Sequence, residues 1–200
     1  MSQEATSQEA VSPEGASPEE RPADPRPLPD EPLSLDLLNT RWNNGGSPRD
    51  LLDSLDGLAL WLALRGFADR VPADRATQEA LLATRAVLGR LVDQGDASAE
   101  ARAALNEVLA HGAVRRTLEA DGPHAHAETD APAWLPAWAA AEDYLRLLDE
   151  GPDRIRSCAS DSCVLRFYDT SKNGTRRWHS MASCGNRAKA ARHYGRTRSG

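Results

Sequence analysis

The 200-residue chain has no apolar run near the eighteen or so residues needed to cross a bilayer. Residues 1–32 lack the basic start and apolar stretch of a secretory signal, so a soluble, cytoplasmic protein with no membrane partner is expected. Cysteine is scarce, with only Cys158, Cys163 and Cys184. An odd number confined to one short segment argues against a disulfide framework and for metal or thiol chemistry. Lysine is nearly absent, two residues against 22 arginines, and with so much alanine this reads as the codon bias of a GC-rich genome. No phosphate-binding glycine loop, nucleophile elbow or carboxylate pair stands out, so no enzyme is expected.

What is present falls into unlike parts. Residues 1–150 carry 13 basic and 27 acidic side chains, net −14, whereas residues 151–200 carry 11 basic and three acidic ones, net +8. Such asymmetry points to a polyanionic partner for the basic end. Residues 1–32 hold seven of the thirteen prolines and eight acids against two arginines. They cannot bury enough apolar surface to offset their ordering entropy, and a disordered acidic tail is expected there, either solvating the chain or shielding its basic end.

The remainder reads as mainly α, a helical domain over residues 33–150 with a small β-hairpin. Leu33 to Trp42 is an apolar segment broken by a turn at Asn43-Asn-Gly-Gly46. Ser47-Pro-Arg-Asp50 reads as the capped start of a helix carrying Leu51, Leu55, Leu58 and Leu62 to Gly66. Further helices are expected over 73–92, from an Asp96 cap to Gly112, and from Pro136 to Gly151, the last with Trp138, Leu145 and Leu148 inward. Val114–Glu119 and His124–Thr129 alternate around Asp121-Gly-Pro123 as a hairpin would.

From residue 154 the period changes to that of two short strands, Ile155–Cys158 and Val164–Asp169. Cys158-x4-Cys163 is followed fifteen residues later by His179-x4-Cys184. Zinc takes four soft or borderline ligands in a tetrahedron, and these two pairs supply Cys3His. Four ligands predict one closed, structural Zn2+ per chain in a small ββα-like finger over residues 151–200. Three free thiols beside a surface histidine are the alternative, and His193 or water the alternative fourth ligand. The pair His124 and His126, without a third partner, reads as incidental.

Arg176-Arg-Trp-His-Ser-Met-Ala-Ser-Cys-Gly-Asn-Arg-Ala-Lys189 and Phe167-Tyr-Asp-Thr-Ser-Lys-Asn-Gly174 resemble the CGNR zinc finger. Leu35-Asp-Leu-Leu-Asn-Thr40, with the Trp and Gly-Gly that follow, resembles the start of the ABATE domain that usually precedes it. The resemblance covers residues 33–198 and implies a bacterial transcription regulator whose finger binds nucleic acid. The family usually has cysteine where this chain has His179, a change that keeps the coordination number and makes the metal centre one unit less negative.

Read from the residues, Cys184 should start a helix running to about Tyr194. Lys172, Arg176, Arg177, Asn186, Arg187, Lys189, Arg192 and Arg196 are the candidate nucleic-acid contacts, the cations reaching phosphates and arginine able to fork onto guanine. Trp178 and Phe167 fit the finger's core better than base stacking. Asn39, Arg41 and Trp42, beside the Gly-Gly turn, are candidates for a ligand pocket, with capping or packing as the plainer role. The expected protein is a DNA-binding regulator whose helical domain senses a small-molecule effector or forms a homodimer. RNA is the second partner considered, and a zinc-dependent redox or protein-interaction module the competing class.

Overall fold

The computed structural model describes residues 23–94 and 99–190. The first 22 residues of the expected tail, the Asp96 cap, Arg192, His193 and Arg196 lie outside the described residues.

At the centre is α1, Leu33–Leu38, with five of its six residues buried. A helix with leucine on several sides must be enclosed rather than laid on a surface. It packs against α3, Arg75–Gln94, and α5, Leu135–Glu150, where Leu81, Leu88 and Leu147 are fully buried with Leu35 and Leu37. Ser34 donates from both its amide and its hydroxyl to Asp143 of α5, at 2.8 and 2.7 Å.

The segment after α1 departs from the sequence reading. Residues 47–50 do not open a helix; they form the strand β2, Ser47–Asp50, paired antiparallel with β1, Arg41–Asn44. Gly45 and Gly46, at φ +57° and +90°, make a two-residue turn that requires left-handed backbone twice over. Asp50 instead caps the 3-10 turn Leu51–Asp53, accepting the Leu52 amide at 3.0 Å. The helix α2, Leu55–Leu64, starts later, capped by Ser54, whose hydroxyl accepts the Gly57 amide. A Cβ at Gly57 would lie 1.8 Å from the Leu51 carbonyl oxygen, so the turn and the helix can abut only through glycine.

Helix α4, Ala99–Leu109, leads into a hairpin of β3, Gly112–Glu119, and β4, Gly122–Thr129. In α5, Trp138 is buried as expected, but Leu145 is exposed and Tyr144 and Leu147 point inward in its place. No helix among the described residues is long and apolar enough to cross a membrane.

Order begins before residue 33, earlier than the tail boundary read from composition. Arg26 is almost wholly buried and its Nη1 donates to Asp36 at 2.9 Å. The fully buried Asp36 also accepts Trp61 Nε1 at 2.8 Å and faces Arg65 at 3.0 Å. A buried carboxylate without such partners would be strongly destabilising, which is why this segment is drawn onto the body.

The C-terminal part has β5, Ile155–Ser157, paired with β6, Arg166–Tyr168, then a π turn, Met181–Gly185, that continues as α-helix over residues 186–190. This ββα unit is fastened to the body. The Asn39 side chain donates to the Arg166 carbonyl at 2.8 Å and accepts the Arg166 amide at 2.9 Å, Glu31 accepts the Tyr168 amide, and Leu165 joins the body core.

Candidate metal centre and nucleic-acid interface

Cys158 follows directly on β5, its amide donating to the Leu165 carbonyl at 2.9 Å. The chain turns through Asp161 and Ser162, and Cys163 returns its amide to Ser160. The second pair is set by Ser180, whose hydroxyl accepts the Ser183 amide and caps the π turn holding Cys184. Ala159 N donates to the Arg177 carbonyl and links the two loops. Cys158, Cys163, His179 and Cys184 converge with their ligand atoms all within 4.8 Å of one another.

The donor set fits one structural zinc. The Cys163 Sγ to His179 Nδ1 distance of 3.5 Å is close to the edge of a tetrahedron with bonds of about 2.3 and 2.0 Å. Burial, and after it the crowding of the Cys158 and Cys184 thiols, pushes the Cys163 thiol up to about 12. Three thiolates so close together are tolerable only beside a cation. Burial, then the positive charges of Arg176 and Arg187, holds His179 below its ordinary value and so keeps the ring neutral, as ligation requires. With Nδ1 turned to the cysteines, Nε2 faces the Ser183 hydroxyl at 3.3 Å and orients the ring. Ser183 was not singled out from the sequence; its spacing four residues after His179 is the only signal available.

The candidate nucleic-acid contacts separate into two groups. Lys172, Arg177, Arg187 and Lys189 are exposed, as is Asn186, whose amide makes only a long 3.5 Å contact to the Ala182 carbonyl. Arg187 also donates to the Ser162 hydroxyl, tying the last helix to the first cysteine loop. Arg176 does not belong with them. Its guanidinium lies 4.5 Å over the Phe167 ring and donates to the Trp178 and His179 carbonyls, while its amide donates to Asp169. It holds the metal loop together. Asp169, enclosed in its turn, is kept below the usual carboxylate range chiefly by the Ser171 hydroxyl and by the Ser171 and Arg176 amides.

Of the three pocket candidates, Arg41 and Trp42 line a cavity, whereas Asn39 is fully buried and occupied with β6. On the β3–β4 hairpin, Glu119 supplies a third partner for His124 and His126, contrary to the expectation of none, although the group is largely exposed.

The family model of the CGNR zinc finger matches residues 154–197. That of ABATE, described as "Putative stress-induced transcription regulator", matches residues 31–151. No curated protein was found to match the chain. The helical body thus meets the ABATE model over more than half of the chain, the Cys3His loops meet the finger model, and the protein belongs to the ABATE family with a C-terminal CGNR zinc finger.

Proposed function

We propose that this zinc-binding protein is a cytoplasmic transcription regulator without enzymatic activity, that its finger binds DNA, and that its helical body senses an effector or dimerises. One observation carries the reading. Lys172, Arg177, Arg187 and Lys189 are exposed, and none of them has a carboxylate partner among the described residues. Unlike Arg166, which pairs with Asp93 of the body, these four cations are left for an external polyanion. The family description and the net charge of +8 over residues 151–200 support the same conclusion. RNA is the second reading, favoured by the Arg177 guanidinium 5.2 Å over the half-exposed Trp178 ring, a flat pair suited to an unpaired base.

Recovery of crosslinked nucleic acid across the genome, followed by salt titration of the zinc-loaded chain, tests this. Three to five phosphate contacts predict a slope of log affinity against log salt of roughly −3 to −5 on duplex DNA. Removing Arg187 and Lys189 together should flatten it by about two units. Recovery of RNA alone would favour the second reading, and salt-independent binding or none would favour a protein-interaction module.

A further inference from the structure

The hairpin β1–β2, one face of α3 and the loop between β5 and β6 border a half-open cavity of about 710 Å³, within the range of small-molecule sites. On α3, Arg85, Gly89 and Asp93 follow one another at four-residue spacing, as do Ala86 and Arg90, and together they line that wall. Across from them, Trp42 pairs in register with Arg49, and Arg41 lies beside it on β1. The finger closes the remaining side with Val164 and Arg166.

Five arginines and one aspartate therefore surround a space that is otherwise largely apolar. Two of the five are committed. Arg85 forks onto Asp50 with both contacts at 2.7 Å, and Arg166 meets Asp93 at 2.6 Å. Arg41 has only a loose 3.9 Å approach to Asp50. Arg49 and Arg90 have no carboxylate partner among the described residues. The Nε of Arg166 is a buried donor with no acceptor there, a state that native structures rarely leave uncompensated. Four of these five cations belong to residues 1–150, of net −14, so their gathering is not a consequence of composition.

We propose that this cavity binds a small organic anion, a carboxylate or phosphate monoester with a flat apolar body, held by Arg49 and Arg90 and packed against Trp42. Arginine suits such an anion through its planar fork, and the indole offers a broad apolar face. Because the walls come from both the helical body and the finger, an occupant touches both. This site gives the effector reading a ligand class, and it can be tested without nucleic acid, so its failure leaves the finger's partner undecided.

The test titrates the full zinc-loaded chain with two fluorescent probes of the same shape, anionic 8-anilinonaphthalene-1-sulfonate and uncharged N-phenyl-1-naphthylamine. Arg49 and Arg90 are exposed, so R49Q/R90Q should fold as the wild type does, with an unchanged urea midpoint. The sulfonate should bind the wild type, be displaced by benzoate or phenyl phosphate, and lose about tenfold or more in affinity in R49Q/R90Q, since both charged donors to the anion are removed. The naphthylamine should change by less than about twofold, because apolar burial is untouched. No sulfonate binding by the wild type, equal affinity in the variant, or equal loss of both probes would overturn the proposal. So would a loss of duplex DNA affinity in R49Q/R90Q with sulfonate binding intact, which would make these arginines part of the nucleic-acid surface.

Discussion

In the helical body the fully buried side chains are mostly leucines around Trp61, spread over α1, α2, α3 and α5. In the finger, Leu165 and Phe167 are the only large apolar side chains buried among the described residues, beside Cys158 and Cys184. Burial of two such groups falls far short of the ordering cost of residues 151–190. The body draws its order from many small, interchangeable contributions, whereas the finger depends on four ligands and a few bonds to body residues such as Glu31, Asn39 and Asp93. A substitution should therefore have a graded effect in the one and an all-or-none effect in the other.

The largest effect is expected from Cys184→Ser. It should abolish stoichiometric zinc, and with it the order of the two cysteine loops, since structural zinc contributes on the order of 10 kcal/mol to such sites. Metal analysis finding one zinc per chain in the variant would reject the ligand assignment. His179→Cys should retain zinc, while His179→Ala should bind it much more weakly; equal zinc in both would move the fourth ligand elsewhere.

In the body, Leu35→Ala should cost about 2–5 kcal/mol in urea unfolding and leave the zinc stoichiometry at one. Loss of metal with the leucine would erase the contrast between the regions. Between them sits Asn39→Ala, which strands the Arg166 amide and carbonyl and should cost about 2–4 kcal/mol. Its sharper signature is a separation of far-UV circular dichroism from release of metal to a chromophoric chelator during unfolding. A variant as stable as a surface substitution would mean that the two regions are joined by other contacts.

Acid should divide the regions with the smallest perturbation. The folded His179 sits below its unfolded value of about 6.5, so it favours the folded chain only while neutral, and that advantage fades as pH falls through the ordinary histidine range. Protons also compete with zinc for the thiolates. In the body, burial works against the charge of Asp24, but its hydrogen bonds and ion pair with Arg26, with Arg65 nearby, outweigh burial and hold it below the usual carboxylate range. Its contribution is present above about pH 4 and disappears as pH falls through the lowered value. Zinc should accordingly leave as pH falls below the ordinary histidine value of about 6.5, while body helicity persists to below about pH 4. Simultaneous loss of both signals would contradict this order.

The metal ligands were legible in the sequence because coordination restricts residue type and spacing, and because every cysteine falls within one segment. The long helices were legible from leucines at intervals of three and four. Ser47-Pro-Arg-Asp50 misleads because serine, proline and a following acid satisfy the signals of a helix start; the two glycines before it, at hairpin spacing, were the overriding feature. Arg176 reads from the sequence as one more outward cation because charge carries no direction, and its place over Phe167 appears only once the loop is folded. Asn39 could be recognised as a polar group among leucines, but not its partner, which is main chain.

That partner, Arg166, lies 127 residues further along the chain. Asn39 ends α1 through its main-chain amide, but its side-chain amide has no partner until nearly all of the helical body and the start of the finger have been made. Contacts so distant in sequence slow folding, because a long loop must close before they are rewarded. The boundary near residue 152 at which one family match gives way to the next is thus no boundary for folding: a chain ending at residue 151 would leave Asn39, Glu31 and the neighbouring leucines without their cover.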